Sequence, residues 1–312
     1  VMVISDPTDY IELKKELENF QGCTRQKTRK FFAGKAFSQT SYYDHLITGW
    51  FLSKKQVSHT KSRLFGGSSR EILKYGENPH QEASYLNSPD LERKAKYLVK
   101  ILHGALSYNN LADTTAAYKI LCELEDYNKS SCVIIKHGNP CGVAIDNKIL
   151  GAYKKSFETD PISAFGGIVA VNQKVDEKLA KRILSVFTEV IIAKSFSPEA
   201  FKMLSLKKNI KIVEIKSFDR TLLDTEEVRS VIGGYLVQET SLSKLNEDEF
   251  KVVTKRKPSK KEFDNLVFLW KIVKHVKSNA IVVGKNLCTT GIGAGQTNSC
   301  LLYTSPSPRD KS

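Results

Sequence analysis

The sequence predicts an α/β fold, and three observations support this assignment. Short runs of β-branched and other apolar residues recur through the chain, as in the segment VIIK that ends at Lys136. Segments with apolar residues at three- and four-residue spacing separate these runs, as expected for helices. The 312 residues are 41 % hydrophobic, which is enough for one large or two modest domains. Alternation of this kind is typical of α/β layers, in which loops at strand ends supply the functional site.

The first part of the chain is predicted to be mainly helical. Residues 1–4 have the composition of a buried strand, and a helix is predicted over 10–20. Residues 25–53 carry apolar and aromatic residues at helical spacing and are predicted to form one long helix. The Gly/Ser-rich segment FGGSSR, 65–70, then indicates a domain boundary.

The rest of the chain is predicted to alternate between helices and strands. We expect helices over 89–103, 111–126, 148–158, 175–187, 198–206 and 259–275. We expect strands over 132–136, 168–172, 189–194, 210–215, 231–237 and 250–254, with a further pair across 280–293.

The composition narrows the classes of function. The formal net charge of +14 fits either a lysine-rich solvated surface or an anionic partner. The densest basic run, KRKPSKKEF from Lys255, has no interleaved aromatic residues of the kind that stack on single-stranded nucleic acid. The six cysteines show no paired metal-ligand spacing, and no apolar run reaches the roughly 20 residues that span a membrane. We therefore expect a cytoplasmic protein with reduced thiols that requires no metal.

The segment KHGNPCG, 136–142, is the main candidate for a catalytic site. Lys136 can hold a positive charge against a developing oxyanion, and His137 can transfer a proton near neutral pH. The simpler alternative is a surface turn that contains a Lys-His pair by chance. Cys141 leaves a Cys/His nucleophile pair open, although such a cysteine is more often a small packed residue. A zinc deaminase would need P-C-x-x-C, and the second cysteine is absent.

Four further segments are candidates for ligand contacts, each with a simpler explanation. KYGENPHQ, 74–81, can bind phosphate through its Lys-Tyr pair or be an ordinary polar loop. LSYNNLAD, 106–113, places two asparagines before a helix, where capping is the simpler role. In DPISAFGGIVAV, 160–171, paired glycines allow a backbone to approach a flat ligand. GIGAGQ, 291–296, alternates small residues, which suits close packing or ligand approach.

Taken in order, these segments resemble the transformylase half of the PurH family, in which AICAR formyltransferase is joined to IMP cyclohydrolase. The resemblance covers roughly residues 68–298, and residues 1–62, with DPTDY and KAFSQTSYYDHLI, resemble the last part of the cyclohydrolase domain. The segments that carry it are KYGENPHQ, LSYNNLAD, KHGNPCG, DPISAFGGIVAVN, EVIIA, VVTKRKP, WKIVKHVKSNAIVV and GIGAGQ.

The resemblance implies a domain organisation. Residues 1–66 would be the carboxyl-terminal part of a methylglyoxal-synthase-like cyclohydrolase domain. Residues 67–298 would be an incomplete transformylase domain of cytidine-deaminase-like subdomains. Residues 299–312 would be a disordered or non-native tail, since they are rich in Ser, Pro and charge.

The resemblance also implies a reaction and the residues that perform it. In the family, the amine of an aminoimidazole carboxamide ribotide (AICAR) attacks the formyl carbon of 10-formyltetrahydrofolate. Family members are homodimers, and neither nucleic acid nor a membrane is an expected partner. The implied roles are oxyanion stabilisation by Lys136, proton transfer by His137, orientation of the formyl group by Asn279, phosphate binding by Lys74 and Tyr75, and nucleotide contacts by Asn110, Gly166 and Glu189.

The sequence departs from the family pattern in three respects. Lys74 stands where the family has an arginine, which keeps the charge but loses a bidentate fork. Ser299 also stands where the family has an arginine, and the resemblance ends near there. The third departure is in extent: the resemblance implies that roughly the last third of the transformylase is missing and that most of the cyclohydrolase domain lies upstream of Val1. The polypeptide as written is therefore expected to be inactive in both reactions. A basic nucleic-acid-binding module and a non-catalytic interaction protein derived from the enzyme are the rival interpretations.

Overall fold

A computed structural model describes residues 1–53, 64–87, 99–223, 226–241 and 245–297 of the chain. Over these residues the chain divides into two units. The first comprises the described residues of Val1–Glu71 and Leu86–Glu92, and the second those of Ile72–Tyr85 and Arg93–Ser312. The predicted tail over 299–312 lies outside the described residues, as does Ser299.

The first unit consists mainly of two helices. A 3-10 turn, Pro7–Asp9, leads into α1 (Tyr10–Asn19), and a short loop leads to α2 (Gln26–Ser53). Both predicted helices are confirmed. The predicted strand over residues 1–4 is wrong, because these residues pair with none of the described strands and Val1 and Val3 are exposed.

Glu16 joins the two helices of the first unit. Its carboxylate accepts hydrogen bonds from the backbone N of Arg25 at 2.9 Å, from Nη2 of Arg25 at 2.8 Å and from Oγ1 of Thr28 at 2.7 Å. These donors flank the start of α2, where a negative charge interacts favourably with the helix dipole. The hydrogen bonds from Arg25 lower the pKa of Glu16 to about 2.

The second unit is built around a mixed eight-stranded sheet. Its strand order is β13-β14-β5-β4-β6-β8-β10-β3, in which β6, β8 and β10 run parallel and the other neighbours run antiparallel. Elsewhere among the described residues, three two-stranded sheets pair β1 with β2, β7 with β9 and β11 with β12. The strands are β1 (Ser68–Leu73), β2 (Ala83–Asn87), β3 (Val99–His103), β4 (Ser130–Lys136), β5 (Asn139–Asp146), β6 (Gly167–Val171), β7 (Lys174–Val175), β8 (Thr188–Ala193), β9 (Ser195–Phe196), β10 (Lys211–Ile215), β11 (Glu226–Val231), β12 (Gly234–Glu239), β13 (Ile281–Lys285) and β14 (Cys288–Gly293).

Helices cover both faces of the large sheet. Successive residues of β4 point to opposite faces, so that Val133 and Ile135 belong to one apolar core and Cys132 and Ile134 to the other. The first core includes residues of α3 (Tyr108–Leu124) and α7 (Lys260–Val273). The second includes residues of α4 (Ile149–Thr159), α5 (Glu177–Leu184) and α6 (Pro198–Ser205). The predicted α/β layering is therefore confirmed.

Three element predictions need correction. The prediction of a helix over 89–103 is wrong for residues 99–103, the part that the structure describes. These residues form β3, which pairs with β10 at the edge of the sheet. The strand predicted over 250–254 is absent from this described segment, in which Val252 and Val253 are exposed. The predicted strand over 231–237 is mostly the second arm of the β11–β12 hairpin. Strand β5 was not predicted, because its NPCG start carries turn residues.

We expect Glu16→Gln to reduce the stability of the first unit at neutral pH. Since the pKa of Glu16 in the folded chain, about 2, lies below its ordinary value of 4.5, the ionised group stabilises the fold above about pH 5, and this contribution is lost as the pH falls towards 2. Urea unfolding of a Trp270→Phe protein, followed through the fluorescence of Trp50, measures the effect. Glu18→Gln, at an exposed glutamate of the same helix, is the matched control. Identical pH profiles of Glu16→Gln and its parent would contradict this account.

We expect Gly142→Ala to destabilise the second unit by about 3 kcal/mol, near the upper end for overpacking of a core. A Cβ at Gly142 would lie 1.9 Å from the carbonyl oxygen of Ser156 in α4. The helix cannot easily retreat, since Ser156 Oγ donates a hydrogen bond to the carbonyl of Cys132 at 2.9 Å. Gly291→Ala in β14 is the control, because no heavy atom lies within 4 Å of its added Cβ. Equal urea midpoints for the two variants would refute this packing argument.

Candidate active site

Lys136 and His137 lie where the buried strand β4 ends. Residues 131–135 are buried, and β4 is paired on both sides, with β5 and with β6. Lys136 pairs with Asn139, so His137 and Gly138 form a two-residue turn. Their φ angles of 51° and 74° are both positive, as a type I′ hairpin turn requires. The turn leaves Lys136 half-buried and His137 exposed.

A backbone carbonyl holds the ammonium group of Lys136. Lys136 Nζ donates a hydrogen bond to the carbonyl oxygen of Phe165 at 2.6 Å. An ammonium group has three donors, so two remain for a ligand. Phe165 is followed by Gly166, which has a φ of 73°. The N–H of Gly166 donates a hydrogen bond to the carbonyl of Phe187 at 2.8 Å. The structure thus brings the ammonium group of Lys136 to the loop that carries a second predicted site residue, Gly166.

The start of α3 brings together two more predicted residues. Ser107 caps this helix in a reciprocal capping box with Asn110, so the simpler capping role suggested by the sequence is present. Asn110 is also buried, and its Nδ2 donates a hydrogen bond to Glu189 Oε2 at 2.9 Å. Asn110 and Glu189 are 79 residues apart in sequence, and only the fold brings them into contact.

The loop that carries Lys74 and Tyr75 contacts the same helix end. Lys74 is exposed, and its Nζ lies 5.7 Å from the ring centroid of Tyr75. Asn109 Nδ2 donates a hydrogen bond to the carbonyl of Glu77 at 3.2 Å, which attaches the loop to the first turn of α3. The predicted phosphate pair therefore lies in a loop fastened beside Asn110.

Asn279 is connected to the turn through its neighbours. The backbone N of Lys277 donates to Asn139 Oδ1 at 3.1 Å, immediately after the His137–Gly138 turn. The side chain of Asn279 is exposed, and its Nδ2 donates to the carbonyl of Gln296 at 3.2 Å. This contact joins the predicted Asn279 to the end of the GIGAGQ segment.

A cleft of about 610 Å³ opens beside the turn, within the usual size range of small-molecule sites. Lys136 and His137 line the cleft, whereas the other six predicted site residues are absent from its lining. Its remaining walls come from the start of β5, from the end of α4 with the DPIS segment that follows it, and from β14 with Ala294. The other residues are Asn139, Pro140, Cys141, Glu158, Thr159, Asp160, Pro161, Ile162, Ser163, Thr290, Gly291, Ile292 and Ala294.

Sequence reasoning missed Asp113. Its Oδ1 accepts a hydrogen bond from the backbone N of Gly138 at 2.6 Å. Burial raises the pKa of Asp113, and the backbone amides of Gly138 and His137 partly oppose this shift. The one signal in the sequence is its position three residues after Asn110, on the same side of a helix.

Cys141 is poorly suited to act as a nucleophile. It lines the cleft, but burial raises the pKa of its thiol to about 12, and the thiolate is the reactive form.

Within the described ranges, no group of three or more His, Cys, Asp or Glu side chains is arranged to hold a metal ion. The described helices also include none with the length and apolar character of a membrane span.

The second unit is thus a three-layer α/β domain in which Lys136 and His137 line a cleft at the end of the inner strand β4, and strand ends are the common location of ligand sites in α/β proteins. The model of the family described as AICARFT/IMPCHase bienzyme matches residues 1–301. The chain belongs to this family.

Curated relatives agree with this assignment. The chain is 42 % identical over 299 residues to a bifunctional purine biosynthesis protein PurH of Thermoanaerobacter sp., covering 96 % of this chain and 57 % of the relative. It is 43 % identical over 305 residues to PurH of Caldicellulosiruptor saccharolyticus, covering 96 % and 58 %. It is 39 % identical over 296 residues to PurH of Chelativorans sp., covering 95 % and 55 %. The chain therefore spans somewhat more than half the length of these relatives.

Proposed function

We propose that this chain contributes the transformylase site of a bifunctional purine-biosynthesis enzyme. The reaction transfers a formyl group from 10-formyltetrahydrofolate to the amine of AICAR, and a cyclohydrolase domain then closes the ring to give IMP. The observation that carries the proposal is the placement of Lys136 and His137 side by side at the cleft, in a chain that belongs to the AICARFT/IMPCHase family.

Lys136 is proposed to stabilise the tetrahedral oxyanion. When the amine attacks, a C–N bond forms and the formyl oxygen gains negative charge. The contact between Lys136 Nζ and the carbonyl of Phe165, at 2.6 Å, holds the ammonium group in place before the reaction. Donors that are already oriented lose little free energy to reorganisation when the charge develops, which is the basis of oxyanion stabilisation.

His137 is proposed to move the proton. The amine must lose a proton as it becomes an amide, and the departing N10 of the folate must gain one when its bond to the formyl carbon breaks. An imidazole on an exposed turn can do both. We further propose that Asn279 orients the formyl group and that the phosphate and nucleotide are contacted by Lys74, Tyr75, Asn110, Gly166 and Glu189.

The remaining proposals concern the intact protein. Residues 1–66 would contribute to the cyclohydrolase domain, residues 67–298 to the transformylase domain, and the protein would be a cytoplasmic homodimer. The folate is a cosubstrate in this scheme. The 312-residue chain alone is proposed to lack both activities, because it spans 57 % of the Thermoanaerobacter relative.

A hybrid protein tests the function directly. In it, residues 1–297 of this chain replace the matching region of the Thermoanaerobacter PurH, which supplies the rest. We expect the hybrid to consume 10-formyltetrahydrofolate only when AICAR is present. The change in absorbance of the folate measures this reaction. No formyl transfer by a folded hybrid would reject the proposal. Salt-dependent binding of RNA or DNA by the 312-residue chain, without binding of AICAR, would favour the nucleic-acid-binding alternative.

Lys136→Ala in the hybrid is expected to lower kcat by about 10²–10³-fold, the usual contribution of one oxyanion donor. AICAR binding, measured by calorimetry, should be partly retained, because the other proposed nucleotide contacts remain. Lys154→Ala, at an exposed lysine of α4, is the matched control and should have the kcat of the parent. An unchanged kcat for Lys136→Ala would remove this residue from the mechanism.

Cys141→Ala is expected to leave kcat within about threefold of the parent, since thiol chemistry needs the thiolate and burial raises the pKa of this thiol to about 12. Cys288→Ala, at a second half-buried cysteine, controls for the loss of packing. Complete loss of formyl transfer in Cys141→Ala, with Cys288→Ala active, would instead support a Cys/His nucleophile pair.

A further inference from the structure

The turn that presents His137 depends on a carboxylate from another element. His137 has a φ of 51° and Gly138 a φ of 74°, in the left-handed region that is unfavourable for a residue with a side chain. A histidine persists there only where its surroundings hold the backbone. The β4–β5 pairing supplies part of this restraint through Lys136 and Asn139.

Asp113 supplies a second restraint from the helix. Its Oδ1 accepts a hydrogen bond from the backbone N of Gly138 at 2.6 Å. A hydrogen bond from an amide to an ionised carboxylate is short and stronger than one between neutral groups. The turn is thus tied through its Gly138 amide to an acidic side chain of another element.

The helix that carries Asp113 is itself well fixed. Its first turn is capped by Ser107, and Asn110, one helical turn before Asp113, donates to Glu189 at 2.9 Å. Asp113 and Asn110 are three residues apart and share one side of α3. A displacement of Asp113 would therefore disturb a helix end that also holds Glu189 of β8.

We propose that Asp113 is a positioning residue, whose hydrogen bond to the Gly138 amide holds the left-handed turn and so places the His137 imidazole for proton transfer. Asp113 acts through the turn and not on the substrate. This inference rests on the proposed formyl transfer, and it adds a residue that the sequence analysis did not assign to the site.

The hydrogen bond between Asp113 and the Gly138 amide can be tested on the 312-residue chain, independently of activity. We expect Asp113→Ala to speed hydrogen exchange of the Gly138 amide, measured by NMR, by about tenfold or more, the equivalent of one hydrogen bond. Asp113→Asn keeps an acceptor oxygen and should have a smaller effect. Asp176→Asn is the control for loss of one negative charge. Asp176 also accepts a hydrogen bond from a backbone amide, that of Leu179 at the start of α5. An unchanged Gly138 exchange rate in Asp113→Ala would overturn the proposal.

The consequence for the reaction is tested in the hybrid protein. We expect Asp113→Ala to lower kcat by about 100-fold, the scale of an error of about 1 Å in position. The KM for AICAR should stay within about twofold of the parent, because Asp113 does not take part in the contacts that bind the substrate equally in the ground state and the transition state. Asp113→Asn should restore kcat to within about fivefold of the parent, because its side-chain oxygen accepts the same hydrogen bond.

Three results separate positioning from a general structural role. The thermal midpoint of Asp113→Ala should stay close to that of the parent, since burial raises the pKa of Asp113 and its ionised form gains little stability from folding. Equal losses in kcat and in AICAR binding, or a normal kcat with fast Gly138 exchange, would overturn the proposal. Failure of the unsubstituted hybrid to transfer formyl groups would instead reject the proposed function, and it is observed before any variant is made.

Discussion

Burial of β4 on both faces is the constraint on which the candidate site depends. Residues 131–135 of this strand are buried, and β5 and β6 pair with its two edges. A charged side chain within such a strand would lose its hydration without compensation. The charge-bearing side chains Lys136 and His137 therefore lie at the end of the strand, where they reach the cleft. The same burial fixes the backbone at the end of β4, so the two side chains are attached to a rigid part of the fold.

Helix α3 connects this strand end to the other parts of the site. Near its start, Asn109 contacts the loop after Tyr75, Asn110 contacts Glu189, and Asp113 contacts Gly138. Near its end, Glu123 accepts hydrogen bonds from Lys274 at 2.7 Å and from Arg220 at 2.9 Å. Lys274 directly follows α7, the helix that leads to the segment of Asn279. One helix thus contacts five segments that are remote in sequence, and its buried Glu123 pairs with two of them.

The layered fold and the pair of residues proposed for the centre of the candidate site could be predicted because they depend on local patterns. Apolar β-branched runs identified β4, β6, β8 and β10, since a buried strand must be apolar over its length. Helical spacing identified α2, α3 and α7, and the polar residues that end β4 led to the prediction of Lys136 and His137, which line the cleft. The strand β3 was mistaken for the end of a helix, because its identity depends on pairing with β10, which no local pattern encodes.

The sequence by itself determined the family, the alternation of strands and helices, and the residue types that end the central strand. Motifs of several residues in a fixed order carry that information without any knowledge of contacts. The tertiary structure alone decided which side chains meet. It placed Asp113 against an amide 25 residues away and Asn110 against a carboxylate 79 residues away, because sheet order and helix packing bring distant segments together and leave no local trace in the chain.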